Sequence, residues 1–253
     1  MWPSAPPLFQ SAHIAFSASM PHRGGGRGLV ATTDIAPGTL LLAETPCAAV
    51  PTAAECDAVA GMGDGAVRQE ELCLWRLLQR PPAEAAAVLR DLAFLHPQSL
   101  DELLPERLAA LTADHAAAVR ELQEAAADAA TSAAMILAAL AEGPRPLLRL
   151  LCALRFNAFQ GGLSMHMSML NHSCIPNSVK LTIAGGNREG DHGGNSGNGD
   201  SGGGARSEVW SVRPIPAGED ITINYLGAYD YCRSVRRERL RVQFAFDCDC
   251  PLC

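Results

Sequence analysis

The chain has a single lysine, Lys180, among 20 basic residues, against 27 acidic ones, and carries a net charge of -7. A nucleic-acid-binding surface would need clustered Lys and Arg to neutralise phosphates, so direct nucleic-acid binding is not expected. A cationic partner suits the overall charge better. Also missing is any run of about 18 or more apolar residues, which excludes a membrane-spanning helix as an expectation. The nine cysteines are odd in number and fall at no framework spacing. They therefore do not build a secreted disulfide scaffold and point to a reducing compartment with metal-bound thiolates. No acidic residue precedes Asp34, and the Ser/Ala-rich start faintly resembles an organellar address. The stretch from His13 to Ser19 already alternates like a strand, however, and nucleus or cytoplasm is the expected location.

What is present is ample apolar material: 48% of 253 residues, enough for one large domain or a domain with an insertion. Residues 28–33 and 40–44 read as strands around an Ala36-Pro37-Gly38 turn. Residues 66–154 are rich in Ala, Leu, Glu and Arg, with Leu89, Leu92, Leu95, Leu108 and Leu111 at helical spacing. They predict three to five helices punctuated by Pro81-Pro82, Pro97 and Pro105, with 112–140 strongly helix-prone and Gly143-Pro144 as the stop. Strand character returns at 179–183 and 208–213, flanking a Gly/Asn/Ser/Asp-rich segment, 185–207, expected to be a disordered hairpin tip. A strand at 221–225 and a basic helix at 233–241 follow. The turns Asp34-Ile35-Ala36-Pro37-Gly38 and Pro214-Ile215-Pro216-Ala217-Gly218 look alike but are too short to establish a duplication. Met165, Met167 and Met169 alternate as a buried strand face would.

The last six residues place Cys248, Cys250 and Cys253 in one tight turn. A closed structural zinc site needs four Cys or His ligands, so a fourth must come from elsewhere in the chain. Cys174 is the leading candidate, with His166 and His172 as alternatives. Cys47, Cys56, Cys73 and Cys152 read as ordinary buried thiols, and Cys232 stays unassigned.

Four motifs in order carry a family resemblance. Arg27-Gly28-Leu29-Val30-Ala31 with Ile35-Ala36-Pro37-Gly38 resembles the opening of SET-domain protein lysine methyltransferases. Asn171-His172-Ser173-Cys174-Ile175-Pro176-Asn177 is similar to that family's cofactor motif. Gly218 through Tyr225 resembles its catalytic segment, and Cys248-x-Cys250-x-x-Cys253 its post-SET zinc cluster. The resemblance implies an α+β SET fold, small twisted sheets around a knot-like crossing. Its parts would be N-terminal strands in 1–51, a helical insertion in 52–156, a C-terminal core in 157–231 and a zinc segment in 232–253.

It implies S-adenosylmethionine as cofactor, a structural zinc on Cys174, Cys248, Cys250 and Cys253, and transfer to a protein lysine, histone or otherwise. Cofactor contacts would come from Arg27, Gly28, Leu29, Asn157, Ser168, Met169, Asn171, His172, Tyr225 and Phe246. Tyr225 would be catalytic, and Tyr225 with Phe244 would line the lysine channel. A monomer is expected. The insertion and the Phe246-Asp247-Cys248-Asp249-Cys250 ending are similar to the SET-and-MYND branch, but Cys47, Cys56 and Cys73 form no CxxC pair, so no MYND finger is expected. The branch's helical C-terminal domain is missing too, which reads as a minimal relative or a truncated chain. Phe244 stands where the family pattern commonly has tyrosine, and Gly227 where the branch often has Asp. The Gly24-Gly25-Gly26 run leaves the Arg27 alignment open by a few positions. These departures keep open an alternative, a weak or inactive SET module that binds peptides or proteins.

Overall fold

The computed structural model describes residues 11–20, 26–49, 51, 53–60, 68–92, 94–127, 144–159, 162–183, 206–227 and 231–253. Its sheets are small and its crossings do most of the positioning. The alternating N-terminal residues form β1 (Ile14–Met20), antiparallel to β2 (Gly26–Ala31), with Phe16 opposite Leu29. β3 (Leu40–Glu44) pairs with β8 (Arg206–Ser211), which pairs in turn with β7 (Ser178–Ile183). β8 begins two residues inside the segment read as loop, because Ser207 lies opposite both Glu44 and Thr182 and is buried. The rest of that loop lies outside the described residues.

The two look-alike turns meet each other. Ile35 and Ile215 exchange backbone hydrogen bonds of 2.8 and 3.0 Å, and the Asp34 carboxylate accepts from the Ala217 N–H at 2.9 Å. Gly38 and Gly218 both sit at positive φ, +76° and +84°, where a side chain would strain the turn.

Six helices lie between β3 and the C-terminal core among the described residues, and five of them fall in the stretch from residue 66, the upper end of the three to five expected there. They are α1 (Ala53–Ala60), α2 (Gln69–Leu78), α3 (Pro82–Leu92), α4 (Pro105–Asp114), α5 (Ala116–Ala127) and α6 (Pro144–Asn157). The helix-prone run from 112 is broken at His115, which leaves helical geometry. There its buried ring sits 2.7 Å from a Glu71 carboxylate oxygen and 3.6 Å from one of Glu70, both on α2. That buried polar anchor outweighs local propensity. Residues 128–143 lie outside the described residues. Leu74, Leu77, Leu89, Leu92, Leu122 and Leu151 make one apolar core of this insertion, while Leu29, Leu41, Met167, Val209, Ile215 and Ile221 make a second under the sheets. No helix among the described residues is long and apolar enough to cross a membrane.

The methionine alternation is not a strand. Met167–Met169 is a 3-10 turn, followed by β6 (Asn171–His172). The Glu44 carboxylate accepts from the His166 and Met167 N–H groups at 3.1 Å and caps the turn, a side-chain claim on the backbone that competes with strand pairing. All three methionines are buried nonetheless, Met165 in the insertion core and the other two in the sheet core. Two short pairs complete the frame: β4 (Ala158–Phe159) with β5 (Gly162–Leu163), and β6 parallel to β9 (Thr222–Ile223). The basic stretch forms α7 (Arg233–Phe244), three residues longer than expected.

Candidate active site

The crossing of three segments builds the site. Leu29 O accepts from Ile221 N at 2.8 Å, and Ser173 N donates to Ile223 O at 3.1 Å. Segments 27–31, 171–174 and 218–225 are thereby locked side by side. The buried Asn177 amide secures the crossing, donating to Asp220 O at 2.7 Å and accepting from Thr222 N at 2.8 Å. The parallel β6–β9 register then sets His172 opposite Ile223 and brings Tyr225 over the His172 ring, with 5.3 Å between centroids.

Around this crossing lies a cavity of ≈ 610 Å³, within the range of small-molecule and cofactor sites. Arg27 enters it from β2; Ser168, Met169, Asn171 and His172 enter from the 3-10 turn and β6. Tyr225, Phe244 and Phe246 form an aromatic wall. Tyr225 packs at 5.0 Å from Phe244 and edge-on at 6.2 Å from Phe246. The Tyr225 hydroxyl donates to the Leu170 carbonyl, which fixes the phenol in the cavity wall.

Some expected residues stand differently from the reading. Gly28 is absent from the cavity wall but gives room to one of its members. A Cβ there would lie 2.3 Å from Asn171 Nδ2 and 2.6 Å from Met20 Sδ. Because no Cβ is present, the Asn171 amide can pack against β2 and donate to Arg27 O at 3.1 Å. Leu29 is fully buried in the sheet core. Asn157 does line the cavity, but its side-chain amide is committed to His96 O at 2.5 Å and Ala153 O at 2.8 Å. Ser168 lines it with its hydroxyl turned to Ser164 O at 2.7 Å.

Sequence reasoning missed the wall supplied by the insertion: His96, Gln98, Glu102 and Phe156. Ser99 and Glu102 form a capping box, Glu102 accepting from Ser99 N at 3.1 Å and facing His96 Nδ1 at 3.1 Å. That Ser-x-x-Glu spacing is the signal in the sequence that marks this stretch. The His96 hydrogen bond holds the Glu102 carboxyl below its ordinary value against the opposing effect of burial. Burial lowers the Arg27 guanidinium, an effect that Glu102 counteracts.

Arg149 of α6 grips the loop behind this wall. Its guanidinium, 8% exposed, donates to Pro97 O at 2.9 Å, Leu92 O at 3.0 Å and Leu95 O at 3.3 Å. With Asn157 it ties α6 to the loop that presents His96 and Gln98. Asp247 and Asp249 complete the lining from the C-terminal segment. Among the described residues the wall thus carries one guanidinium and three carboxylates, a mixed field for a zwitterionic or cationic ligand.

Beyond the aromatic wall, the sulfurs of Cys174, Cys248, Cys250 and Cys253 lie within 4.8 Å of one another, three of the residues buried. Cys174 Sγ is 3.5 Å from Cys253 Sγ and 4.0 Å from Cys248 Sγ. A tetrahedron with zinc–sulfur bonds of about 2.3 Å has sulfurs about 3.8 Å apart, so the quartet fits that ion. Burial pushes Cys174 up to about 11 and raises Cys248 as well. For Cys250 burial also opposes ionisation, but hydrogen bonds from the Cys174 backbone and from the Cys248 thiol bring it down to about 7. Four thiolates at this spacing need a cation. His166 lies apart, with Glu44. His172 stands beside the quartet and outside it: Nδ1 accepts from Tyr225 N at 3.1 Å, which leaves the proton on Nε2, 3.3 Å from Cys174 Sγ. One imidazole therefore joins the thiol quartet to the Tyr225 backbone. Of the remaining thiols, Cys56, Cys73 and Cys152 are buried as expected and Cys47 only partly; burial pushes Cys73 and Cys152 up to about 11, while Cys232 is exposed at the start of α7 and outside the quartet.

Comparison with known proteins agrees with this architecture. The mouse (Mus musculus) histone-lysine N-methyltransferase SMYD3 is 36% identical over 93 residues, 36% of this chain. The match spans only 17% of that relative's length. A structure of the SET domain of LSMT bound to lysine and AdoHcy is similar over 95% of this chain and 54% of its own, with a TM-score of 0.46 and 14% identity. Rubisco LSMT bound to sinefungin and monomethyllysine is similar over 93% and 52%, with a TM-score of 0.43 and 14% identity. The SET domain family model matches residues 26–226, most of the chain and every element of the crossing described above, and the chain belongs to the SET-domain family.

Proposed function

We propose that this chain is a protein-lysine methyltransferase that binds S-adenosylmethionine in the 610 Å³ cavity and methylates a lysine side chain at Tyr225. The observation that carries the reading is the Tyr225 hydroxyl, held by the Leu170 carbonyl where the polar cavity meets the aromatic wall. When bound, S-adenosylmethionine supplies an electrophilic methyl on a sulfonium, which a neutral lysine amine takes by in-line displacement, the bond pair returning to sulfur.

The chain's own residues supply binding and alignment. Arg27 offers a cation for the ligand carboxylate, and Glu102 and Asp249 lie where hydroxyls or cationic groups can be met. Phe246 presents an aromatic face to the adenine. Asn171 and His172 line the floor, with the Asn171 amide held in place by Arg27 O. Packed between Phe244 and His172, Tyr225 makes an apolar entrance that favours the uncharged amine through desolvation. Its fixed hydroxyl orients the nucleophile, and alignment of this kind can supply several kcal/mol of a displacement barrier. Before attack the lysine ammonium gives one proton to water, and the methylated amine that forms carries the positive charge.

In this reading the thiol quartet holds zinc, and His172 and α7 link that centre to the wall formed by Tyr225, Phe244 and Phe246. The acceptor is a protein with an exposed lysine, histone or otherwise. The test is transfer of labelled methyl from S-adenosylmethionine to core histones and to a cell extract. Label on lysine is the expected result. Tight cofactor binding with no transfer to any lysine-bearing protein would support a binding module instead.

A further inference from the structure

The thiol quartet has a charged neighbour that its ligand chemistry alone does not call for. Arg236, in the first turn of α7, is only 7% exposed. It is one of a basic series, and its neighbours behave as surface arginines do: Arg237 and Arg241 reach the carboxylate of Asp247. Arg236 instead turns inward. Nη1 donates to Tyr231 O at 2.6 Å and Nη2 to Leu252 O at 2.8 Å, with Cys253 Sγ 3.9 Å from Nη2. Its Nε–H is buried and has no partner among the described residues. A buried guanidinium without a carboxylate is costly unless another anion compensates it. The sulfur within reach is Cys253 Sγ, which would compensate it as the thiolate of a metal ligand.

We infer that Arg236 is the built-in counter-charge of the tetrathiolate metal centre and, through it, the pin that fixes the start of α7. The inference rests on the zinc reading above. A divalent ion with four thiolates carries two net negative charges in a buried place, and the guanidinium offsets one of them. Hydrogen-bond donors to ligand sulfur act in the same direction, lowering the charge each sulfur presents. The planar fork also holds the carbonyl of Leu252, inside the Cys250–Cys253 turn, so metal and C-terminal turn are secured by one side chain. α7 then transmits this anchor: Arg236 stands at its start, fully buried Leu240 in its middle, and Phe244 at the cavity end. Neutral or disulfide-bonded cysteines would leave the buried guanidinium uncompensated.

The experiment compares wild type with Arg236→Met, Arg236→Lys and Arg236→Gln. Zn2+ content is measured after purification, and affinity by competition with a chelator and by Co2+ titration, following thiolate-to-metal absorption. Changes to groups around a metal's ligands typically cost about 10- to 100-fold in affinity, and that loss is expected for Arg236→Met. Arg236→Lys, which keeps the charge, should retain more affinity than Arg236→Gln, which keeps donors without charge. The Lys–Gln comparison decides the matter if the Met variant does not fold. Metal affinity equal to wild type in Arg236→Met, or Lys no better than Gln, overturns the inference. Wild-type protein that binds neither Zn2+ nor Co2+ overturns the zinc reading itself, a separate failure.

Discussion

Adding one methyl group at Gly28 should disable the cofactor site without replacing any residue that lines it. A Cβ at this position falls 2.3 Å from Asn171 Nδ2 and 2.6 Å from Met20 Sδ, where ordinary contact begins at 3.4 Å. The Asn171 amide must therefore move by about 1 Å, away from β2 and toward the cavity. That movement breaks its 3.1 Å bond to Arg27 O and carries the amide into space a ligand would use. Overpacking of this kind costs about 1–3 kcal/mol, which corresponds to a loss of roughly 5- to 150-fold in affinity if it falls on the bound state. Calorimetry of S-adenosylmethionine binding to Gly28→Ala should show such a drop, with metal content unchanged because the quartet lies on other elements. The cause can be isolated with Asn171→Ala, which weakens binding itself but removes the clashing amide and leaves only the flexible Met20 end in the way. In that background Gly28→Ala should cost markedly less, a coupling that a double-mutant cycle reads directly. Unaltered affinity in folded Gly28→Ala, or strict additivity of the two changes, would refute the reasoning.

Further outcomes follow from the insertion. Arg149→Met removes donors to Pro97, Leu92 and Leu95 carbonyls. Leu92 O keeps its bond from Leu95 N, but the Pro97 and Leu95 carbonyls lose this donor, and leaving buried carbonyls unsatisfied costs about 1–3 kcal/mol each, so chemical denaturation should show a loss of at least about 2 kcal/mol. The cofactor KM should rise more than kcat falls, because the loop that presents His96 and Gln98 loses its support. A kcat loss at unchanged KM would contradict this. Glu102 provides a pH test: with its folded value depressed by His96, its contribution is present above the ordinary carboxyl value of 4.5 and is lost as pH falls through the lower folded value. Wild type should therefore lose more stability than Glu102→Gln between pH 5 and about pH 3, and parallel acid profiles would remove Glu102 from that role.

The motifs were legible because each is short, local and chemically demanding. Asn171-His172 through Asn177, the 218–225 segment and the terminal thiols announced themselves by residue type, and the crossing that unites them agrees with the family they resemble. Contacts made by side chains over long separations were not legible. Nothing in the spacing of Arg149 shows that it grips carbonyls some fifty residues earlier, nor that Gly28 is needed for the Asn171 amide rather than for a ligand. The methionine alternation misled for a physical reason: period two is shared by a strand and by this compact turn capped from Glu44. His115 likewise ended a helix that alanine content alone would have continued, because two carboxylates on α2 hold its ring.

The central claim is that Tyr225 is the residue at which methyl transfer occurs. Tyr225→Phe deletes one oxygen and its bond to Leu170 O while keeping the ring packed against Phe244, His172 and Phe246. An orienting hydroxyl acts mainly in the transition state, so turnover should fall much more than cofactor affinity, and Phe244 has no hydroxyl to compensate. The decisive measurement is labelled methyl transfer to protein lysine by wild type and Tyr225→Phe, with cofactor affinity measured on both. Lysine self-labelling can be read at one position, because Lys180 is the sole lysine. The account predicts transfer by wild type, and in the variant a drop of about tenfold or more at similar affinity; equal turnover in the two proteins would contradict it.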